Sequence, residues 1–274
     1  MAQNKYKLLV TDIDGTLENE AGEISGEDRA ALMSIRECGI QVAVSTGRIT
    51  TACRGIFEQL SLEGCHIFCD GALVSDITGN NSIYQQSLDD EIVQETIEFA
   101  LSHDLYLELA TGSEYFVERI TEATRIHCKL LNMKPQVVDF TKLKGRSGFI
   151  KENLVRVRPE EDAGISAFWE KFTGRVSLAR VAMPRFPNVE FINVVARDVS
   201  KGKATEKLAQ YMGVTMDEVV ALGDGMNDIS VIAIAGLGIA MGSAPEKLKK
   251  TADYVTLDAA HSGVAYALKK FLLD

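Results

Sequence analysis

Short apolar runs alternate with amphipathic helical patterns at both ends of the chain, and this rhythm constrains the fold more than any other feature. Lys7–Val10 (KLLV), Gln41–Val44 (QVAV), Val219–Leu222 (VVAL) and Leu237–Met241 (LGIAM) are each apolar almost throughout. Strands of that kind, separated by helices, imply a parallel sheet covered on both faces. Ser25 stands where an N-cap is expected and Gly39 lies just past the end of the same helical stretch. Further helices are expected over Ile49–Leu60, Lys201–Gly213, Asn227–Gly236, Ala244–Ala252 and Ala259–Asp274, with strands at His66–Asp70 and Asp253–Leu257.

The middle of the chain reads differently. Leu105–Ala110, Glu114–Glu118, Asn153–Arg158, Arg175–Met183 and Val189–Val194 alternate apolar with polar residues, a pattern expected of a sheet with one face wet or facing a cleft. Helical patterns accompany them at Asp89–His103, Glu118–Leu131 and Glu160–Phe172. The expected organisation is α/β: a three-layer, Rossmann-like core from residues 1–80 and 189–274, with a smaller α+β cap domain, residues 81–188, inserted between its halves.

The chain has 274 residues and a formal net charge of -10. That balance argues against nucleic acid or an anionic membrane as partner, since both want a basic face. It leaves room for a small anionic substrate, which responds to the local field. Five cysteines at irregular spacing do not suit a disulfide framework. There is no signal-like N-terminus and no run of eighteen apolar residues. The expectation is a cytoplasmic protein with no obligate protein partner.

Three of the apolar runs end in clusters of small and acidic residues: Thr11-Asp12-Ile13-Asp14-Gly15, Ser45-Thr46-Gly47-Arg48 and Gly223-Asp224-Gly225-Met226-Asn227-Asp228. In open α/β sheets ligands bind outside the carboxyl ends of the strands, so the three clusters are expected to meet. Asp12 and Asp14 are two apart, which on an extended strand puts them on one side, roughly 6.6 Å from each other. With Asp224 and Asp228 they bring four carboxylates into one crevice. Such repulsion is relieved by a hard cation, and Mg²⁺, which takes carboxylates, waters and phosphate oxygens, is the natural candidate. A carboxylate can also serve as nucleophile, and a second as proton donor. Lys201, in Asp198–Ala204 (DVSKGKA), is placed to clamp a phosphoryl group, whereas Lys203 is expected at the surface.

Other patterns carry less. Read as a calcium loop, the segment from Asp12 has Leu17 where glycine is required. Gly236-x-Gly238 has Met241 where the dinucleotide fingerprint wants its third glycine. Cys65 and Cys69 would lie about 13 Å apart on a strand, too far to share zinc. His127, Tyr115, Arg119 and Arg180 have no recognisable pattern, and Lys142–Lys151 is expected to be a solvated loop.

In order, DIDGT, STGR, SKGKA and GDGMND resemble the four motifs of the haloacid dehalogenase-like hydrolase superfamily. The large gap between the second and third is similar to the Cof-type phosphatases with an α/β cap, as is the tail from Gly236 to Thr256. The resemblance implies that Asp12 is the nucleophile and Asp14 the general acid and base, with the backbone carbonyl of Asp14 on the metal. It implies that Asp12, Thr46, Gly47, Lys201 and Asn227 hold the phosphate. Asp224 would ligate Mg²⁺, with Asp228 supporting it. An acid at Asp14 goes with phosphatases and phosphomutases. The implied activity is hydrolysis of small phosphate monoesters, sugar phosphates or similar metabolites, through an aspartyl-phosphate. A phosphomutase or phosphotransferase, or an idle sugar-phosphate sensor, are the alternatives. Two positions depart from the family: Asp70 and Ser243 stand where asparagine is common.

Overall fold

The computed structural model describes residues 5–143, 146–183 and 186–273. In chain order, β1 (Leu8–Thr11), α1 (Gly26–Glu37), β2 (Gln41–Val44), α2 (Arg54–Leu60) and β3 (His66–Phe68) lead into the antiparallel strand β4 (Leu73–Ser75) and then β5 (Ser82–Gln85). The middle contributes α3 (Asp90–Ser102), β6 (Leu107–Ala110), β7 (Tyr115–Val117), α4 (Glu122–Leu131), β8 (Gln136–Val137), β9 (Lys151–Arg156), α5 (Asp162–Phe172), β10 (Val176–Met183) and β11 (Phe186–Ala196). The chain returns through α6 (Lys201–Met212), β12 (Val219–Gly223), α7 (Ile229–Ile232), β13 (Leu237–Ala240), α8 (Glu246–Thr251), β14 (Tyr254–Val255) and α9 (Gly263–Leu268).

These elements form two compact units: residues 1–47, 55–84 and 200–274 in the first, and 48–54 and 85–199 in the second. This division differs from the one expected at 80 and 188. β11 runs to Ala196 and pairs along its length with β9 and β10, so residues 189–199 go with the second sheet. Residues 48–54 join the second unit as well, through hydrogen bonds such as Thr50 N–H to Gly112 O at 2.9 Å.

The sheet of the first unit runs β14-β13-β12-β1-β2, every pair parallel. A further bridge from Ser45 to Ile67 sets β3 beyond β2. Counting only these strands in chain order, the arrangement is 3-2-1-4-5-6, the doubly wound order whose switch point lies between the first and fourth strands. Leu8, Leu9 and Val10 are buried to 1% exposure or less, as a strand covered on both faces requires. Each such side chain contributes about 1.5–3 kcal/mol by leaving water. Helix α1 begins as its sequence specifies, with Ser25 Oγ accepting from Asp28 N–H at 3.0 Å. Asp28 Oδ1 then accepts from Ala265 N–H at 2.6 Å, tying α1 to α9. The expected second and seventh helices are shorter than their patterns: a 3₁₀ turn precedes α2 at Arg54, and α7 stops at Ile232.

The sheet of the second unit runs β10-β11-β9-β6-β7-β8, antiparallel except for β7 with β8. One face carries Leu107, Leu109, Leu154, Ile192 and Val194 against α3 and α5. The other face alternates polar, as the sequence says, but it is not wet. Glu108, Lys151, Asn153 and Asn193 are all buried. Glu108 accepts from the Tyr106 hydroxyl at 3.0 Å and from Asn153 Nδ2 at 3.2 Å, and meets His127 Nδ1 on α4 at 2.6 Å. Hydrogen bonding across neighbouring strands and α4 lets that face be covered. The loop expected over Lys142–Lys151 is likewise buried at its end, with Phe149, Ile150 and Lys151 inside. Arg146 lies over the Phe116 ring at 4.4 Å, and residues 144 and 145 fall outside the described residues.

Glu152 stands on the apolar face of β9, wholly buried, opposite Leu109 and Val194. Burial raises its carboxyl from 4.5 to about 8, only partly offset by the Thr96 hydroxyl. Thr96 Oγ1 lies 2.8 Å from both Val93 O and Glu152 Oε1. The unfolded chain releases the Glu152 proton near pH 4.5 and the folded chain near pH 8, so stability falls as pH rises through that interval. Glu152→Gln removes the titration. In thermal unfolding across pH 5–9, the variant should gain on the wild type up to about pH 8, the difference then levelling off.

Candidate active site

Strand register brings the polar clusters together. Thr11 pairs with Val44 on one side and Leu222 on the other. One step further along, Asp12, Ser45 and Gly223 are level, with Asp12 N–H on Leu222 O at 3.0 Å and Ser45 N–H on Thr11 O at 2.9 Å. Three loops thus leave the sheet side by side at its carboxyl edge. The loop after β1 passes close to Asp224: Gly15 has φ +79°, and a Cβ there would sit 2.2 Å from Asp224 Oδ2. Only glycine permits both.

Lys201 opens α6 behind its N-cap Ser200, and it is 1% exposed. Its Nζ donates to Asp12 Oδ1 at 2.6 Å and to Asp228 Oδ1 at 2.7 Å. Burial by itself would push the ammonium down, but the carboxylates of Asp12 and Asp228 overcome it and hold the group above its ordinary range. Asp228 is held at its other end too, with Oδ2 accepting from the backbone N–H of Asp224 at 3.1 Å and Gly225 at 2.8 Å.

Asp12, Asp224 and Asp228 each offer an oxygen within 4.8 Å of the others. Burial raises the Asp12 carboxyl; Lys201 opposes that, and Asp228, Asp224 and Asp14 add to it. Asp224 is raised to about 7, by burial and then by Asp228. Crowded, partly dehydrated carboxylates of this kind are the donor set that a hard divalent cation fits. The Asp14 carboxylate is not among these three. β1 ends at Thr11 and the chain turns at Gly15, so the same-side rule for an extended strand stops applying: Asp12 is buried, and Asp14 is exposed.

Thr46 is buried in the loop after β2, next to Gly47, its N–H on Ile67 O at 2.9 Å. Its carbonyl accepts from Asp70 N–H at 3.0 Å. Asp70, in turn, accepts from Asn227 Nδ2 at 2.8 Å through Oδ1. The sequence marks Asp70 as a departure from the family, but it does not reveal these partners, because they come from loops far apart in the chain. Lys203 is half-buried, with its N–H capped by Ser200 Oγ. Four residues of the second unit that lacked a pattern have partners of their own there: His127 with Glu108, Tyr115 OH with Cys128 Sγ at 3.3 Å, Arg119 with Asp104, and Arg180 with Glu190 at 3.0 Å. His66 Nδ1 accepts from Val44 N–H at 3.1 Å, and burial lowers its ring to about 4, so it is neutral.

Residues 9–268 match the family described as haloacid dehalogenase-like hydrolases. Phosphatase YwpJ of Bacillus subtilis is 30% identical, over 97% of this chain and the whole of that protein. From the same organism, 5-amino-6-(5-phospho-D-ribitylamino)uracil phosphatase YcsE is 30% identical over 97% of this chain and 96% of its own length. A solved haloacid dehalogenase-like hydrolase from Bacteroides thetaiotaomicron superposes with a TM-score of 0.85 at 29% identity, covering 97% of this chain and 99% of that one. The chain belongs to the haloacid dehalogenase-like hydrolases, as a phosphoric monoester hydrolase.

Proposed function

We propose that this phosphatase hydrolyses small phosphorylated metabolites, sugar phosphates or close analogues, through an aspartyl-phosphate on Asp12 and with Mg²⁺ as its cation. The observation that carries the reading is the ion-paired carboxylate of Asp12. Lys201 occupies Oδ1 at 2.6 Å, which orients the carboxylate and leaves Oδ2 to attack phosphorus. As the Oδ2–P bond forms, the bond from phosphorus to the leaving oxygen breaks, and Asp14 delivers a proton to that oxygen. The exposure of Asp14 suits a group that exchanges protons with substrate and water. Asp14 then takes a proton from the incoming water, whose oxygen attacks phosphorus and frees Asp12 and inorganic phosphate.

Thr46, Gly47, Asn227 and Lys201 are assigned to the phosphate oxygens. Asp12 and Asp224, with the Asp14 carbonyl, would hold the cation. Asp228 has one oxygen on Lys201 and the other on two backbone N–H groups, so it acts as their support. When bound, the cation neutralises charge on the transferring phosphoryl group. The inserted α+β unit is assigned the choice of leaving group. The class of substrate is supported by relatives such as YcsE, whose name carries a phosphorylated ribityl chain.

With p-nitrophenyl phosphate and Mg²⁺, Asp12→Asn should cost at least about a thousandfold in kcat. Undiminished turnover would end the assignment of the nucleophile. Chelation should abolish activity, and Mg²⁺ should raise the melting temperature of the wild type but not of Asp224→Asn. A panel of phosphorylated metabolites scored for inorganic phosphate separates hydrolysis from transfer: isomerised or transferred product without phosphate release would indicate a mutase or phosphotransferase.

A further inference from the structure

Phosphoryl transfer depends on close positioning, so whatever aims Asn227 bears on catalysis as directly as Asn227 does. After β3 the backbone takes three successive left-handed residues: Cys69 at φ 53°, Asp70 at 57° and Gly71 at 101°. Aspartate tolerates that conformation better than most residues. The turn fits closely, since a Cβ on Gly71 would meet Ser200 O at 2.3 Å, next to the start of α6. It carries Asp70 into the site, where the residue is 7% exposed. There its N–H holds the Thr46 carbonyl, its Oδ1 accepts from Asn227 Nδ2 at 2.8 Å, and its charge acts on Lys201. One residue outside the recognised motifs therefore joins three loops that carry them.

We propose that Asp70 is a positioning residue for phosphoryl transfer, whose carboxylate fixes the orientation of the Asn227 side-chain amide. The inference rests on the aspartyl-phosphate mechanism above. A carboxylate has acceptors only, so whichever oxygen faces Asn227, the amide must turn Nδ2 toward it. The second Nδ2 hydrogen is then left to donate to an anion. An asparagine at position 70 could meet Asn227 in either sense, donor to acceptor or the reverse, and would leave the amide orientation two-fold. The aspartate at this family departure thus removes an ambiguity from the site.

The test is a double-mutant cycle on the full chain, with p-nitrophenyl phosphate and Mg²⁺. Glycine accepts a φ near 57° without penalty, so D70G deletes the side chain and leaves the turn unstrained. D70G should lower kcat/KM about tenfold, and D70N should recover most of that loss. In the N227A background, D70G should have no further effect, because a residue acting through Asn227 has nothing left to act on. Wild-type kinetics in D70G, D70N as impaired as D70G, or losses that multiply in D70G/N227A would each overturn the proposal. If circular dichroism shows D70G unfolded, the cycle is run with D70N, whose smaller loss must vanish in N227A. D12N is assayed alongside: activity retained there overturns the underlying mechanism, whereas loss in D12N with multiplying D70G and N227A effects overturns the positioning role alone.

Discussion

A buried ammonium shared by two carboxylates governs the first unit. Lys201 lies between Asp12 and Asp228, 189 residues from one and 27 from the other in sequence. Removing one partner of a buried ion pair leaves an uncompensated charge, which typically costs about 3–5 kcal/mol. The end of β1, the start of α6 and the glycine-rich turn after β12 are therefore held to one geometry, and the parallel register that makes Asp12 and Gly223 level is what makes the pairing reachable. Asp228 is fixed at both ends, by Lys201 and by two backbone N–H groups of its own turn. The charge network thus sets the shape of the glycine-rich turn that bears Asp224.

The insertion leaves this arrangement intact because of where the chain comes back. It returns to the first unit at Ser200, the N-cap of α6, and the next residue is Lys201. The position of the lysine is set by a helix start within the first unit: Ser200 Oγ accepts from Lys203 N–H at 3.2 Å, and Gly202 N–H donates to Ser230 Oγ at 3.0 Å. The second unit keeps its own accounts of burial, with an apolar core on one face of its sheet and the Glu108 network on the other. The Lys201 network of the first unit and the Glu108 network of the second are each closed within their own unit.

The parallel core was legible because its strands are apolar on both faces and its helices carry their caps, Ser25 among them. The meeting of three polar clusters followed from strand polarity alone. The fate of the alternating strands was not legible. Alternation reports that the two faces differ, but not whether the polar one is covered, and Glu108, Asn153 and Asn193 are covered. Glu152 shows the converse: a carboxyl that alternation places on the apolar face with Leu154, its proton affinity raised by burial, although its residue type alone suggests water. Boundaries slipped where short turns replaced regular structure, as before Arg54 and after Phe68. Asp70 was visible as an unusual residue but not as a link, since its partners Thr46 and Asn227 come from other loops.

Charge gives the site its remaining constraint. Asp14, Asp224 and Asp228 all act on Asp12, and Asp12, Asp228 and Asp70 act on Lys201, so acids outnumber the ammonium. Such a field repels a phosphate dianion, and a chain with a formal charge of -10 offers no compensating surplus at long range. Two of the three Lys201 N–H donors are engaged by Asp12 and Asp228, so its charge is largely spent on carboxylates and only one donor remains for a phosphate oxygen. Within the aspartate cluster, the oxygens of Asp12 and Asp224 are the donors suited to a hard cation, which would bring compensating positive charge to a bound phosphate. The crowding that raises the acids and the fitness of the site for a cation have one electrostatic origin.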